Sequence, residues 1–224
     1  MSILGAIIVP HPPLIIPTVG RGREREVQAT IDVYRTAAKQ VAAWKPEVLI
    51  ITSPHQIMYA DYFHISPGKS ASGGMSAFGA AQTKLRVEYD APLRREIIRC
   101  GEAVGIQAGT LGQRDPYLDH GTFGPLYFLR EAGVDCPILR IGLSGFSPLD
   151  HYRLGQCIAQ AVNALGRRAV FVASGNLSHK LRDDGPYGFA PEGPEFDRQI
   201  TEAMAAGDFL RFLTMDPALC EQAA

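Results

Sequence analysis

Of the six histidines in this 224-residue chain, His11, His55 and His179 stand at or near breaks that follow apolar runs, and His120 stands before a Gly-rich approach to a helix. The carboxylates Asp61, Asp119, Glu192 and Glu195 accompany them. These residue types can hold a metal. Two histidines and one carboxylate with open coordination positions make the facial triad of non-haem Fe(II) oxygenases. The same set can hold a catalytic Zn²⁺ with a bound water. A further histidine left off the metal changes charge near neutral pH and can serve as a general base. No HxH or HxxxH pair occurs, so the ligands have to be gathered from separate elements. Spacing alone leaves the metal and the place of each residue open. The bland alternatives are a turn histidine bonded to backbone at His11 and a structural cap formed by His120 with Asp119 or Asp115.

The elements that must do the gathering are legible. Val48-Leu49-Ile50-Ile51-Thr52-Ser53-Pro54-His55 is an apolar, β-branched run stopped by a proline, the pattern of a buried parallel strand. Ile7-Ile8-Val9-Pro10-His11 repeats it, and Ala169 to Ser174 runs into Gly175-Asn176-Leu177-Ser178-His179. Ligands of open α/β sheets sit beyond the carboxyl ends of the strands, so three strand-end histidines predict a polar site at that edge. Between the first two strands, Val27, Ile31, Tyr34, Ala38 and Val41 recur at three- and four-residue steps and predict a helix over 23–44. That completes a right-handed β-α-β unit. Further helices are predicted over 91–103, 126–130, 152–165 and 196–204. Further strands are predicted over 85–90 and 137–143, with short ones near 61–65 and 107–111.

Residues 69–81 contain Gly73-Gly74 and Gly79 without periodicity and read as a mobile loop. Gly121-Thr122-Phe123-Gly124-Pro125 reads as a Gly-rich approach to the helix at Leu126, where backbone donors can face an anion. His64 reads as structural and His151 as a surface or capping residue. The fold class predicted is α/β: a single domain with a mostly parallel central sheet, helices on both faces, and a metal site at the carboxyl edge of the strands.

Composition excludes several functions. Hydrophobic residues make up 46% and charged residues 20%, which is ordinary for a globular chain long enough to bury a core. A formal net charge of -1 leaves no footprint for nucleic acid or an anionic membrane surface. No apolar run is long enough to span a bilayer. The apolar N-terminus lacks a basic leader and is broken by Pro10, Pro12 and Pro13, so it reads as strand and turn and not as a signal peptide. Cys100, Cys136, Cys157 and Cys220 are scattered and form no CxxC. They read as reduced thiols of a cytoplasmic protein.

His11-Pro12-Pro13, Ser53-Pro54-His55, Leu118-Asp119-His120-Gly121, Gly175-Asn176-Leu177-Ser178-His179 and Pro191-Glu192-Gly193-Pro194-Glu195-Phe196-Asp197 occur in an order that resembles the class III extradiol ring-cleavage dioxygenase family, catalytic B subunit (LigB-like) type. The resemblance runs from about residue 4 to about residue 210. The chain is also similar to bacterial proteins of the AmmeMemoRadiSam system, protein A type, in which this domain precedes a second, smaller one. That likeness implies a dioxygenase-like domain over 1–210 and a tail or linker over 211–224.

The resemblance implies a set of roles. His11 and His55 match the two histidine ligands and Glu195 the carboxylate ligand, with Glu192 three residues away as the alternative. His179 matches the acid/base histidine, and His120 a histidine that contacts substrate or dioxygen. The implied metal is Fe(II), with Zn²⁺ as an as-purified occupant. The implied substrate is an aromatic diol of the catechol type, opened beside the diol by O₂. A different class of function is a metal-binding module of a radical-SAM-linked multi-protein system without turnover of its own. A Zn²⁺ hydrolase on the same ligands ranks third. A homodimer is expected only from the frequency of that state among soluble oligomers.

Overall fold

The computed structural model describes residues 3–224. β1 (Ile3–Val9) leads through the proline turn to α1 (Pro17–Gly20) and α2 (Gln28–Trp44). β2 (Val48–Ser53) and β3 (Phe63–His64) follow, then β4 (Ser70–Met75), β5 (Ala80–Glu88), α3 (Ala91–Ala103) and β6 (Ala108–Gly109). Next come α4 (His120–Glu131), β7 (Ile138–Gly142), α5 (Pro148–Ala164) and β8 (Ala169–Ser174). The chain divides into two compact units after Gly175. The second unit holds α6 (Glu192–Ala206), a 3-10 turn at Phe209–Thr214 and α7 (Pro217–Ala223). The 211–224 stretch, expected as tail or linker, includes α7.

The first unit is built on a four-stranded sheet of order β1-β8-β2-β7, every neighbour parallel. Side chains alternate across it with period two, and both faces are covered. Leu49, Ile51, Val170 and Val172 join a cluster with Ile31, Tyr34, Ala38 and Val41 of α2 and Phe123, Leu126 and Leu129 of α4. Val48, Ile50, Leu139, Ile141 and Ala169 join another with Leu93 and Ile97 of α3 and Leu154, Ile158 and Ala161 of α5. Burial on both faces explains why these strands read as unbroken apolar runs. Each fully buried Ile or Leu contributes about 1.5–3 kcal/mol.

Several expectations need correction. Residues 69–81 do not form a loop: β4 pairs antiparallel with β5 from Ser70↔Glu88 to Met75↔Ala80. The glycines misled because they serve close packing. A Cβ on Gly73 would lie 2.6 Å from the Leu118 Cβ, and one on Gly74 would lie 2.8 Å from the Thr83 carbonyl oxygen.

The helix expected at Leu126 starts at His120, and its N-cap Asp119 accepts from Thr122 N. The Asp119 carboxylate thus satisfies one of the open amides of that first turn. Likewise α5 begins at Pro148 and α6 at Glu192, while residues 23–27 form a 3-10 turn before α2. His64 is buried and bonds the Leu111 carbonyl at 3.1 Å, and His151 lies in the first turn of α5, bonding Ser147 O at 3.0 Å.

Candidate metal centre

β8 lies between β1 and β2, with Ser174 opposite Val9 and Ala173 opposite Thr52. The chain leaving β1 and the chain leaving β2 both turn at prolines, Pro10 and Pro54, and deliver His11 and His55 at this edge. His11 is 2% exposed, and its Nε2 lies 3.0 Å from Nε2 of His55, which is exposed. The two rings meet edge-on at 4.9 Å. His120 enters from the first turn of α4. Its ring centroid is 3.9 Å from that of His55 and 5.5 Å from that of His11. A nitrogen from each of the three imidazoles lies within 4.8 Å of the others.

Local chemistry holds these rings in place. The His55 amide donates to Ser53 Oγ at 3.2 Å, and Ser53 Oγ donates to Asp119 Oδ1 at 2.5 Å. Asp119 also accepts from Thr122 N at 2.9 Å and Thr122 Oγ1 at 2.7 Å, and lies 3.6 Å from the Arg140 guanidinium. Arg140, 1% exposed, donates further to the carbonyls of Tyr117 and Asp115 and to Ser66 Oγ. Asp119 is thus a clamp joining the end of β2 to the start of α4. Gly121 has no room for a side chain, since a Cβ there would overlap Ser53 Oγ. His11 Nδ1 lies 2.9 Å from Ser174 Oγ, and Ser174 Oγ donates to the Gly121 carbonyl at 2.5 Å.

The cluster suits a cation. Burial, followed by the charge of His55, pushes the His120 pKa below its ordinary value, which keeps that imidazole neutral near pH 7. Neutral imidazole is the form that ligates metals. The Nε2 atoms of His11 and His55 lie 3.0 Å apart, close enough for both to face one cation. Phe78, at the turn between β4 and β5, is 39% exposed and stands edge-on to His120 at 5.4 Å, forming an apolar wall beside the cluster.

Of the other predicted residues, His179, Glu192 and Glu195 lie in the second unit. Glu195, in the first turn of α6, accepts from Arg198 Nη2 at 2.6 Å and Gln199 Nε2 at 2.7 Å. Those donors hold its pKa down at about 2, so it is a carboxylate throughout the physiological range. Glu192 is the first residue of the same helix. His179 is exposed, with its ring 4.9 Å from that of Tyr187. The preceding Ser178 is tied down, its amide to Asp197 Oδ1 at 2.8 Å and its hydroxyl to the Ala223 carbonyl at 2.6 Å. Asp61 is exposed in the turn before β3.

Sequence reading thus singled out the three clustered histidines. It passed over Ser53, Phe78, Arg140 and Ser174. A signal existed for Arg140, a lone charge inside the apolar run Pro137 to Leu143.

A parallel α/β sheet that brings three imidazoles to its carboxyl edge defines the protein's class. Residues 5–224 match the family described as the catalytic LigB subunit of aromatic ring-opening dioxygenase, and the chain belongs to that family. It is 33% identical over 223 residues to Protein CA_C1420 of Clostridium acetobutylicum, covering 96% of this chain and 48% of that protein. It is 26% identical over 256 residues to the 2-aminophenol 1,6-dioxygenase beta subunit of a Pseudomonas species, covering 99% and 80%. It is 25% identical over 159 residues to a 2,3-dihydroxyphenylpropionate/2,3-dihydroxicinnamic acid 1,2-dioxygenase of Escherichia coli, covering 66% and 48%. The chain therefore spans about half the length of the first and third of these relatives. Among the described residues no helix is long and apolar enough to cross a membrane.

Proposed function

We propose that this chain is the metal-holding part of an Fe(II)-dependent extradiol dioxygenase-like protein that takes a catechol-type diol. The observation that carries the reading is the convergence of His11, His55 and His120, in a family whose described activity is aromatic ring opening. His11 and His55 are the histidine ligands. Glu195, ionised near neutral pH, is the carboxylate ligand that the family motif assigns. Fe(II), when bound, supplies the redox chemistry that O₂ requires, and the protein supplies placement and proton transfer. His120, neutral and against His55, contacts the substrate. His179 takes a proton from a ring hydroxyl. The half-exposed Phe78 gives the mouth of the cluster an apolar side suited to an aromatic ring.

Metal content decides the ligand set. Purified under argon with Fe(II), the wild type is expected to hold one iron per chain. His11→Ala and His55→Ala are each expected to lose it with the far-ultraviolet spectrum unchanged, and Glu195→Gln to weaken it. His179→Ala is expected to keep iron and lose oxygen uptake with catechols. Iron retained in both His11→Ala and His55→Ala would end this reading.

The second reading is the metal-binding module of a radical-SAM-linked system, with a second domain or a partner chain completing it. It draws support from the 33% identical relative, which is about twice as long as the match. Bound iron with no oxygen uptake across a catechol panel favours it.

A further inference from the structure

Pro125 lies inside α4, where a proline removes the backbone N–H that would bond the carbonyl four residues earlier. That carbonyl belongs to Gly121. The Ser174 hydroxyl reaches it at 2.5 Å. A carbonyl only accepts, so the single hydroxyl proton of Ser174 is committed to Gly121. The same oxygen lies 2.9 Å from His11 Nδ1. With its own proton used, Ser174 can only accept there, so Nδ1 of His11 must carry the hydrogen. A neutral imidazole has one N–H. Nε2 of His11 is therefore left with its lone pair, aimed at Nε2 of His55 at 3.0 Å. Ser174 and His11 are both buried.

We propose that Ser174 is a positioning residue for the metal centre, acting as a relay from the carbonyl that Pro125 leaves open to the tautomer of His11. A strand-end serine and a helix-interior proline, 49 positions apart in the chain, together select the nitrogen that faces the cation. The proline is tolerated within α4 because the hydroxyl of β8 takes over its missing bond. The inference rests on the reading of His11 and His55 as metal ligands, but its first consequence, the tautomer, exists without any metal.

The test uses the full chain labelled with ¹⁵N-histidine and read by long-range ¹H–¹⁵N correlation at pH 8, metal-free, followed by Co(II) titration watched in the visible. The wild type is expected to show His11 as the Nδ1–H tautomer. Ser174→Ala is expected to shift His11 toward the Nε2–H form and to weaken Co(II) binding about 10–100-fold, the usual cost of losing such a partner. Ser174→Thr, which keeps the hydroxyl, is expected to restore both. Pro125→Ala returns an N–H to the Gly121 carbonyl, releases the serine proton, and is expected to move the tautomer in the same direction without touching either side chain.

Two results would overturn the relay. One is a Ser174→Ala variant whose His11 keeps the Nδ1–H tautomer, whatever happens to its metal affinity. The other is a shifted tautomer with unchanged Co(II) affinity. A wild type with the expected tautomer that binds no Co(II) overturns the metal reading and removes the relay's role with it.

Discussion

His64 shows what a single histidine does when the fold gives it no ligand role. It is buried beside β6 and donates through Nδ1 to the Leu111 carbonyl. Burial outweighs that hydrogen bond and pushes its pKa below 6.5. The sign of the linkage follows. The unfolded chain binds the proton more readily than the folded one, so His64 favours the folded state above about pH 6.5. That contribution is lost as pH falls through the depressed folded value. In a proton NMR titration the His64 resonance is expected to move with a midpoint below 6.5. A midpoint above 6.5 would mean that the partners of the ring, and not burial, set its charge.

At the scale of elements, the start of α4 is the joint of the site. Asp119 caps the helix, accepts from Ser53 at the end of β2, and neutralises the fully buried Arg140 of β7. A lost N-cap alone costs about 1 kcal/mol. A buried cation left without its partner costs about 3–5 kcal/mol. Urea unfolding of Asp119→Ala is therefore expected to show a loss of about 3–5 kcal/mol, with weakened metal binding because His55 and His120 both hang from this clamp. Asp119→Asn keeps a cap acceptor and should lose less. A loss below about 1 kcal/mol in Asp119→Ala would show that Arg140 finds other compensation. The β4–β5 hairpin has a similar role. Arg21 Nη2 donates to Gly79 O at 2.6 Å, which ties the turn carrying Phe78 to the segment beyond His11.

For the whole molecule, the two units differ in how their stability is supplied. Both large hydrophobic clusters lie entirely within residues up to Gly175, on the two faces of the sheet. Among residues 176–224, Ala203 and Ala223 are the buried hydrophobic residues. A fragment ending at Gly175 is thus expected to fold by itself, with cooperative thermal unfolding by circular dichroism. A fragment of 176–224 is expected to be largely unstructured. A non-cooperative melt of the longer fragment would mean that the sheet depends on residues beyond it. All four cysteines are free, so no disulfide supports either unit.

The α/β class, the parallel strands and the carboxyl-edge histidines were legible because they depend on local rules. β-branched runs buried on both faces need no alternation, prolines stop strands, and whatever follows a parallel strand lies at the ligand-binding edge. His11 and His55 could be placed at that edge from their neighbours alone.

What the chain order conceals is which ends become neighbours. β8 slips between β1 and β2, and that places Ser174 within reach of both His11 and the Gly121 carbonyl. Gly73 and Gly74 looked like loop residues because the backbone and side chain they pack against, at Leu118 and Thr83, belong to other segments. Pro125 looked like a helix boundary because the hydroxyl that replaces its lost bond comes from another element. Propensity and periodicity act over a few residues. Tertiary packing alone decides a tautomer, a close approach or a replaced hydrogen bond, because each needs an atom that the local sequence does not contain.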